Sequence, residues 1–151
     1  MKTIQSFTVD HDKLLPGLYV SRTDGDAVTY DLRTRRPNVG DYMDNLTMHS
    51  VEHLFATFVR NGPRSENVIY FGPMGCQTGF YLICRGLEPE EVKDEVFRVL
   101  REIIDYEGAM PGGTQKECGN FRNLDVEAGK AECRRYLAEL EARRIDFQYE
   151  V

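Results

Sequence analysis

The chain has 151 residues and a formal net charge of −6, and no run of Lys and Arg offsets that balance, which speaks against nucleic acid or an anionic membrane as its main partner. The length suits one domain, residues 1–151, able to bury roughly 68–70% of its unfolded surface without a disulfide or a metal to hold it together. Met1 to Ser6 carries a single Lys with no apolar run behind it, and nowhere is the chain apolar for long enough to cross a bilayer. The expectation is a cytoplasmic protein acting on a small molecule. In that compartment its four cysteines, none in a C-x-x-C pair, read as free thiols or metal ligands.

Residues 1–12 are mostly polar and end in Asp10-His11-Asp12. Gly17 to Arg22 and Ala27 to Arg33 predict two strands around Thr23-Asp24-Gly25-Asp26, since Asp-Gly between β-rich runs favours a tight hairpin. In the second strand Val28, Tyr30 and Leu32 alternate with Thr29, Asp31 and Arg33, so one face is apolar and Arg33 lies on the polar one. Leu46 to Arg60 predicts a helix, with Asp44 or Asn45 as its cap and Asn61-Gly62-Pro63 as its stop. At 100° per residue, Val51, Leu54, Phe55, Phe58 and Val59 form an apolar stripe, and His49, Glu52, His53, Ala56 and Arg60 fall on the neighbouring face.

Asn67 to Phe71 and Phe80 to Arg85 predict two further strands. Between them, the glycines of Gly72-Pro73-Met74-Gly75-Cys76-Gln77-Thr78-Gly79 keep the backbone around Cys76 open. A second helix begins at Pro89 and carries its apolar stripe on Val92, Val96, Val99, Leu100, Ile103 and Ile104. A loop from Glu107 to Glu117 leads into Cys118-Gly119-Asn120. The last helix, from about Asp125 to Arg143, packs through Val126, Cys133, Leu137 and Leu140, with Gly129 as a local weakness. This order of elements predicts an α+β fold, an antiparallel sheet with helices packed on one face. No G-x-G-x-x-G follows a strand and no Walker motif is present, so a nucleotide cofactor is not supported.

His49-Ser50-Val51-Glu52-His53 spells H-x-x-E-H. Residues four apart share a helix face, so His49 and His53 can hold one metal ion with Glu52 beside it as an acid or base. Two imidazoles need a third protein ligand, and catalytic sites commonly stop at three to leave a position open. Cys118 leads for that role, because it follows a flexible loop and Gly119 gives its backbone room; His11 competes with it. Cys84 and Cys133 lie on apolar faces and read as core. Cys76, on its glycine-rich turn, reads as an accessible base or nucleophile, and a nearby metal would favour its thiolate. These residues leave three classes open: an H-x-x-E-H zinc peptidase, a closed structural site that includes Cys76, and a lyase or isomerase in which a metal polarises a sugar carbonyl while Cys76 and Glu52 move protons.

Taken together, H-x-x-E-H at 49–53, Pro73-Met74-Gly75-Cys76-Gln77-Thr78-Gly79-Phe80-Tyr81 and Cys118-Gly119 resemble the S-ribosylhomocysteine lyase, or LuxS, family. Ser6-Phe7, Asp10-His11, Tyr30-Asp31-Leu32-Arg33, Asp125 and Glu127 extend the resemblance over nearly the whole chain. The resemblance implies a homodimer whose active sites lie at the interface, and a metal held by His49, His53 and Cys118, ferrous iron in the cell with zinc a frequent occupant of purified protein. It also implies that Cys76 and Glu52 transfer protons and that Ser6, His11 and Arg33 line the sugar pocket. The implied reaction walks the ribose carbonyl along the sugar and eliminates homocysteine, leaving 4,5-dihydroxy-2,3-pentanedione, the precursor of autoinducer-2. Tyr70 stands where relatives often carry an Asp near the amino-acid end of the substrate.

Overall fold

In the computed structural model, which describes residues 1–150, strands β1 (Gly17–Asp24) and β2 (Ala27–Arg33) close on Gly25 and Asp26, with Asp24 paired to Ala27. Gly25 supplies the φ of 63° that so short a turn requires. The turn therefore sits one residue later than the Asp24-Gly25 pair suggests, and β1 runs on to Asp24. β3 (Val68–Pro73) and β4 (Gly79–Arg85) form a second hairpin. The sheet order is β1-β2-β4-β3, antiparallel throughout, as the α+β expectation has it.

Side-chain alternation decides which face is covered. Leu18, Tyr30, Leu32, Phe71, Phe80, Leu82 and Cys84 share one core with the helices α1 (Asn45–Arg60), α2 (Pro89–Asp105) and α3 (Val126–Glu141). Asp44 caps α1 by accepting from the Thr47 amide at 2.8 Å. Val51, Leu54, Phe55 and Val59 are buried as their spacing predicts. Phe55 then stacks on Phe71, and Phe71 on Phe80, with ring centroids 4.3 and 5.2 Å apart, so α1 is keyed directly to β3 and β4. Glu88 and Glu91 form a capping box at the start of α2, with Pro89 in its first turn. Val92, Val96, Val99, Leu100 and Ile103 are buried below it.

Gly129 departs from the expectation of a weak point. A Cβ at this position would lie 2.7 Å from Leu54 Cδ1 and 3.3 Å from the Ser50 carbonyl carbon. Glycine is needed here because α3 crosses α1 at close range. That crossing carries weight for the site, since Ser50 Oγ accepts from the Asp125 amide at 2.8 Å and ties the start of α3 to the middle of α1. Replacing Gly129 with Val should force the helices apart and lower stability by about 1–3 kcal/mol. Thermal unfolding of the variant beside the wild type checks this, and an unchanged midpoint would contradict the close-packing argument.

Candidate active site

Helical spacing brings His49 and His53 together with their rings edge to face, centroids 4.7 Å apart. The loop after α2 then supplies Cys118, whose amide closes a turn on the Thr114 carbonyl at 3.0 Å. His49, His53 and Cys118 offer ligand atoms that all lie within 4.8 Å of one another, with Cys118 Sγ 3.4 Å from His49 Nε2. A tetrahedral ion with nitrogen at about 2.1 Å and sulphur at about 2.3 Å sets those donors roughly 3.6 Å apart, so the residues fit a metal. Cys118 is thus the candidate third ligand that lies with the two histidines. His11 instead directs its Nδ1 to the Val9 carbonyl at 2.9 Å and lies elsewhere.

The rings are also turned the right way. His49 Nδ1 lies 2.8 Å from the Asn123 carbonyl oxygen and His53 Nδ1 lies 2.9 Å from that of Pro111. A carbonyl only accepts, so a proton on each Nδ1 satisfies it and leaves each Nε2 free to bind a metal; His49 Nε2 faces the Cys118 sulphur at 3.4 Å. Asn123 is itself fixed by donating to the side chain of Asn45 at the start of α1. The Cys118 sulphur accepts from the Asn120 amide at 3.4 Å. Gly112, with φ 65°, is the glycine this arrangement needs, because a Cβ there would come 3.2 Å from His53 Nδ1. Gly119 is different: a Cβ would meet nothing within 4 Å, so no close approach requires a glycine beside Cys118.

Cys76 occupies a second place. It is exposed on the turn between β3 and β4 and lines a cavity of about 260 Å³ with His11, Pro37, Asn38, Tyr42 and Thr78. The openness expected from three glycines holds for Gly75 alone. Gly79 sits against the Leu32 carbonyl, where a Cβ would be 2.8 Å away, and Gly72 lies under the Tyr70 ring. The left-handed position is Gln77, with φ 66°. Its carbonyl accepts from the Met43 amide at 3.0 Å, which anchors the turn just ahead of α1.

Arg33 reaches the same turn from beneath. The polar face of β2 is buried at its end, with Asp31 1% and Arg33 3% exposed. Arg33 Nε and one terminal nitrogen grip the Asp31 carboxylate at 3.1 and 2.7 Å. The other terminal nitrogen lies 2.8 Å from Thr78 Oγ1 and 3.8 Å from Cys76 Sγ, and Thr78 Oγ1 is 3.1 Å from the same sulphur. Burial works against the charge on Arg33, but Asp31 and the Cys76 sulphur together hold its pKa above the ordinary value. The resemblance put Arg33 in the sugar pocket, but its pairing with Asp31 was not legible; the alternation of β2 marked only a polar face.

The remaining expected residues are spread out. Ser6 lines a separate cavity of about 300 Å³ on the uncovered face of the sheet, with Tyr70, Tyr81 and Ile83. Glu52 is half-buried on α1 and makes no hydrogen bond or ion pair among the described residues. Arg60 donates to the Ile69 carbonyl at 2.8 Å, a contact with β3 and not with the histidines. Cys84 and Cys133 are core, as expected: burial, with Glu95 nearby, pushes the Cys84 thiol up to about 12, and burial raises Cys133 further.

The family model described as S-Ribosylhomocysteinase (LuxS) matches residues 4–146. The chain belongs to the LuxS family. It is 45% identical to the S-ribosylhomocysteine lyase of Finegoldia magna over 91% of this chain and 90% of that protein. It is 43% identical to the protein of the same name from Borreliella burgdorferi (strain ZS7), over 91% of each chain. It is also 43% identical to that of Phocaeicola vulgatus, over 93% of this chain and 91% of that one.

In this LuxS chain the triad depends on loop carbonyls as well as ligands. Gly112→Val should displace the Pro111 carbonyl from His53 and weaken divalent-metal binding roughly tenfold, the usual scale for losing such support. Titration of the metal-free protein with cobalt, followed by its visible absorption, reads the change. Unaltered affinity would mean that the carbonyl does not orient the ring.

Proposed function

We propose that this chain is an S-ribosylhomocysteine lyase, a single domain over residues 1–151 that cleaves its substrate to homocysteine and 4,5-dihydroxy-2,3-pentanedione, the autoinducer-2 precursor. The observation that carries the reading is the His49, His53 and Cys118 triad, its donor atoms within 4.8 Å of one another and each imidazole Nδ1 set against a loop carbonyl, in a member of the LuxS family. A divalent metal held there supplies Lewis-acid polarisation of the open-chain ribose carbonyl. We assign ferrous iron in the cell and zinc as an occupant of purified protein, both suited to a mixed nitrogen and thiolate set.

The chain's own residues move the protons. Cys76, as a thiolate, takes a proton from one sugar carbon and returns it to the next, and the Arg33 guanidinium lies 3.8 Å from its sulphur. Two such transfers carry the carbonyl from C1 to C3. Loss of the proton beside it then expels homocysteine from the β carbon. Glu52, free of ion pairs among the described residues, serves the hydroxyl protons and the elimination. Ser6, His11 and Arg33 line the sugar end, and backbone groups near Tyr70 and Phe71 hold the amino-acid end. Tyr70→Phe is then expected to leave the Michaelis constant unchanged; a large rise in steady-state assays would sink that last assignment.

The working form in this reading is a homodimer with each active site completed by both chains. Two features support it. Within one chain, Cys76 and the metal triad line different places. The sheet also leaves one face uncovered by helices, carrying Tyr81, Ile83 and a Tyr70 that is 51% exposed. Among the described residues no helix is long and apolar enough to cross a membrane, and a cytoplasmic location with a small-molecule substrate completes the proposal, with neither nucleic acid nor membrane as a partner.

Release of free thiol from S-ribosylhomocysteine by protein loaded anaerobically with ferrous iron or cobalt tests the activity. Cys76→Ala and Cys118→Ala should each abolish it. When the two inactive variants are mixed and allowed to exchange subunits, a shared site predicts recovery of about a quarter of wild-type activity, since half of the dimers are mixed and each holds one intact site. No release by folded, metal-loaded wild type would reject the lyase assignment. No recovery on mixing, with exchange verified, would reject only the shared site.

A further inference from the structure

The Asp31 carboxylate that grips Arg33 has another partner. Tyr149 donates its hydroxyl to Asp31 Oδ2 at 2.7 Å, the oxygen that also accepts from Arg33. The segment that delivers Tyr149 is firmly laid down. The Phe147 carbonyl accepts from the Val20 amide at 2.8 Å, Phe147 forms a parallel bridge to Tyr19, and the Tyr149 ring stacks on Tyr19 with centroids 4.9 Å apart. Phe147 holds a φ of 65°, a conformation costly for an aromatic residue and kept only when the surroundings dictate it. Tyr149 also lies beyond residues 4–146, the stretch that the family model matches.

We propose that Tyr149 is a positioning residue for Cys76: it fixes the Asp31 carboxylate, which clamps Arg33, whose remaining nitrogen is thereby presented to the Cys76 sulphur and the Thr78 hydroxyl. The inference rests on reading Cys76 as the proton carrier. Three links join the C-terminal segment to the reacting sulphur, and every one is a direct contact: Tyr149 to Asp31, Asp31 to Arg33, Arg33 to Cys76. Asp31 and Arg33 are almost wholly buried, so water cannot replace a lost partner cheaply. The hydroxyl is a dependable donor, because burial and then the Asp31 charge hold its pKa well above the ordinary tyrosine value. By sharing the carboxylate, it also takes up negative charge that would otherwise act on Arg33 alone. Other ionisable groups face this cluster: Tyr19, Tyr81 and Tyr136 lie within reach of Asp31, Tyr81 also of Cys76, and His11 shares the Cys76 cavity. None of those tyrosines hydrogen-bonds Asp31; the Tyr19 hydroxyl donates to the Leu15 carbonyl and that of Tyr136 to the Gly17 carbonyl.

The test compares Tyr149→Phe with wild type and with Tyr19→Phe, which removes a hydroxyl from the same stacked pair but not from Asp31. In the full-length protein, the rate at which iodoacetamide alkylates Cys76 is followed by mass spectrometry of the Cys76 peptide. Near neutral pH the rate in Tyr149→Phe should fall roughly threefold, a fraction of the strength of one hydrogen bond to a charged group. At alkaline pH, where thiols are ionised, it should match wild type. Tyr19→Phe should match wild type at both. An unchanged neutral rate in Tyr149→Phe overturns the proposal, and so does an equal fall at both pH values shared with Tyr19→Phe, the mark of general loosening. Turnover of S-ribosylhomocysteine separates the two readings. A neutral-pH alkylation defect with undiminished kcat would leave the positioning role intact and remove Cys76 from the chemistry. An unaltered alkylation profile beside an inactive Cys76→Ala would do the reverse.

Discussion

Helix α1 has to satisfy two demands at once, and the rest of the structure follows from how it does so. Residues three and four apart share a face, so Val51, Leu54, Phe55 and Val59 can be buried while His49, Glu52 and His53 look out from the adjacent side. The burial is what makes the ligand pair rigid. Phe55 is keyed into the Phe71 and Phe80 stack, and Gly129 lets α3 close on the opposite flank. A helix held at the sheet and at its neighbour cannot roll, so the two imidazoles keep their spacing.

Rigidity of the helix does not by itself orient a ring. A histidine side chain rotates about its own bonds, and either nitrogen can bind a metal. Here the choice is made by carbonyls of a loop with little regular structure, Pro111 and Asn123, and the same loop supplies Cys118. The loop is in turn tied to α1 through Asn45 and Ser50. The ligands and their supports therefore form one closed circuit, in which the helix fixes the loop and the loop aims the side chains.

Cys76 depends on a different device, a buried ion pair. Taking Asp31 and Arg33 out of water costs several kcal/mol per charge, which their attraction repays only with good geometry and further hydrogen bonds. Both conditions are met: the contact is two-pronged, and Thr78 and Tyr149 take up the remaining donor and acceptor capacity. Such a pair is a poor way to gain stability, since apolar residues would serve as well. It is a good way to hold a cation still beside a sulphur atom.

Much of this was legible from residue order alone. Helical and strand periods, the Asp44 cap and the Asp-Gly hairpin are local, so they predicted the elements, the α+β class and the buried stripes to within a residue or two. Ligand spacing on one helix is local too, which is why His49, Glu52 and His53 stood out. The partners of those residues were not local. On residue type alone His11 and Cys118 competed as third ligand, because both lie far from α1 in sequence; the resemblance implied Cys118, and the packed loop is what brings it beside the histidines. Gly129 looked like a weak helix position because the helix it must let in lies far away in sequence, and Gly119 looked necessary beside a neighbour that is not there. The alternation of β2 marked its other side only as polar, with no sign that it would be buried, for the same reason. What covers it, Tyr149, comes from the far end of the chain, and no pattern within a strand can report what another segment will lay on top of it.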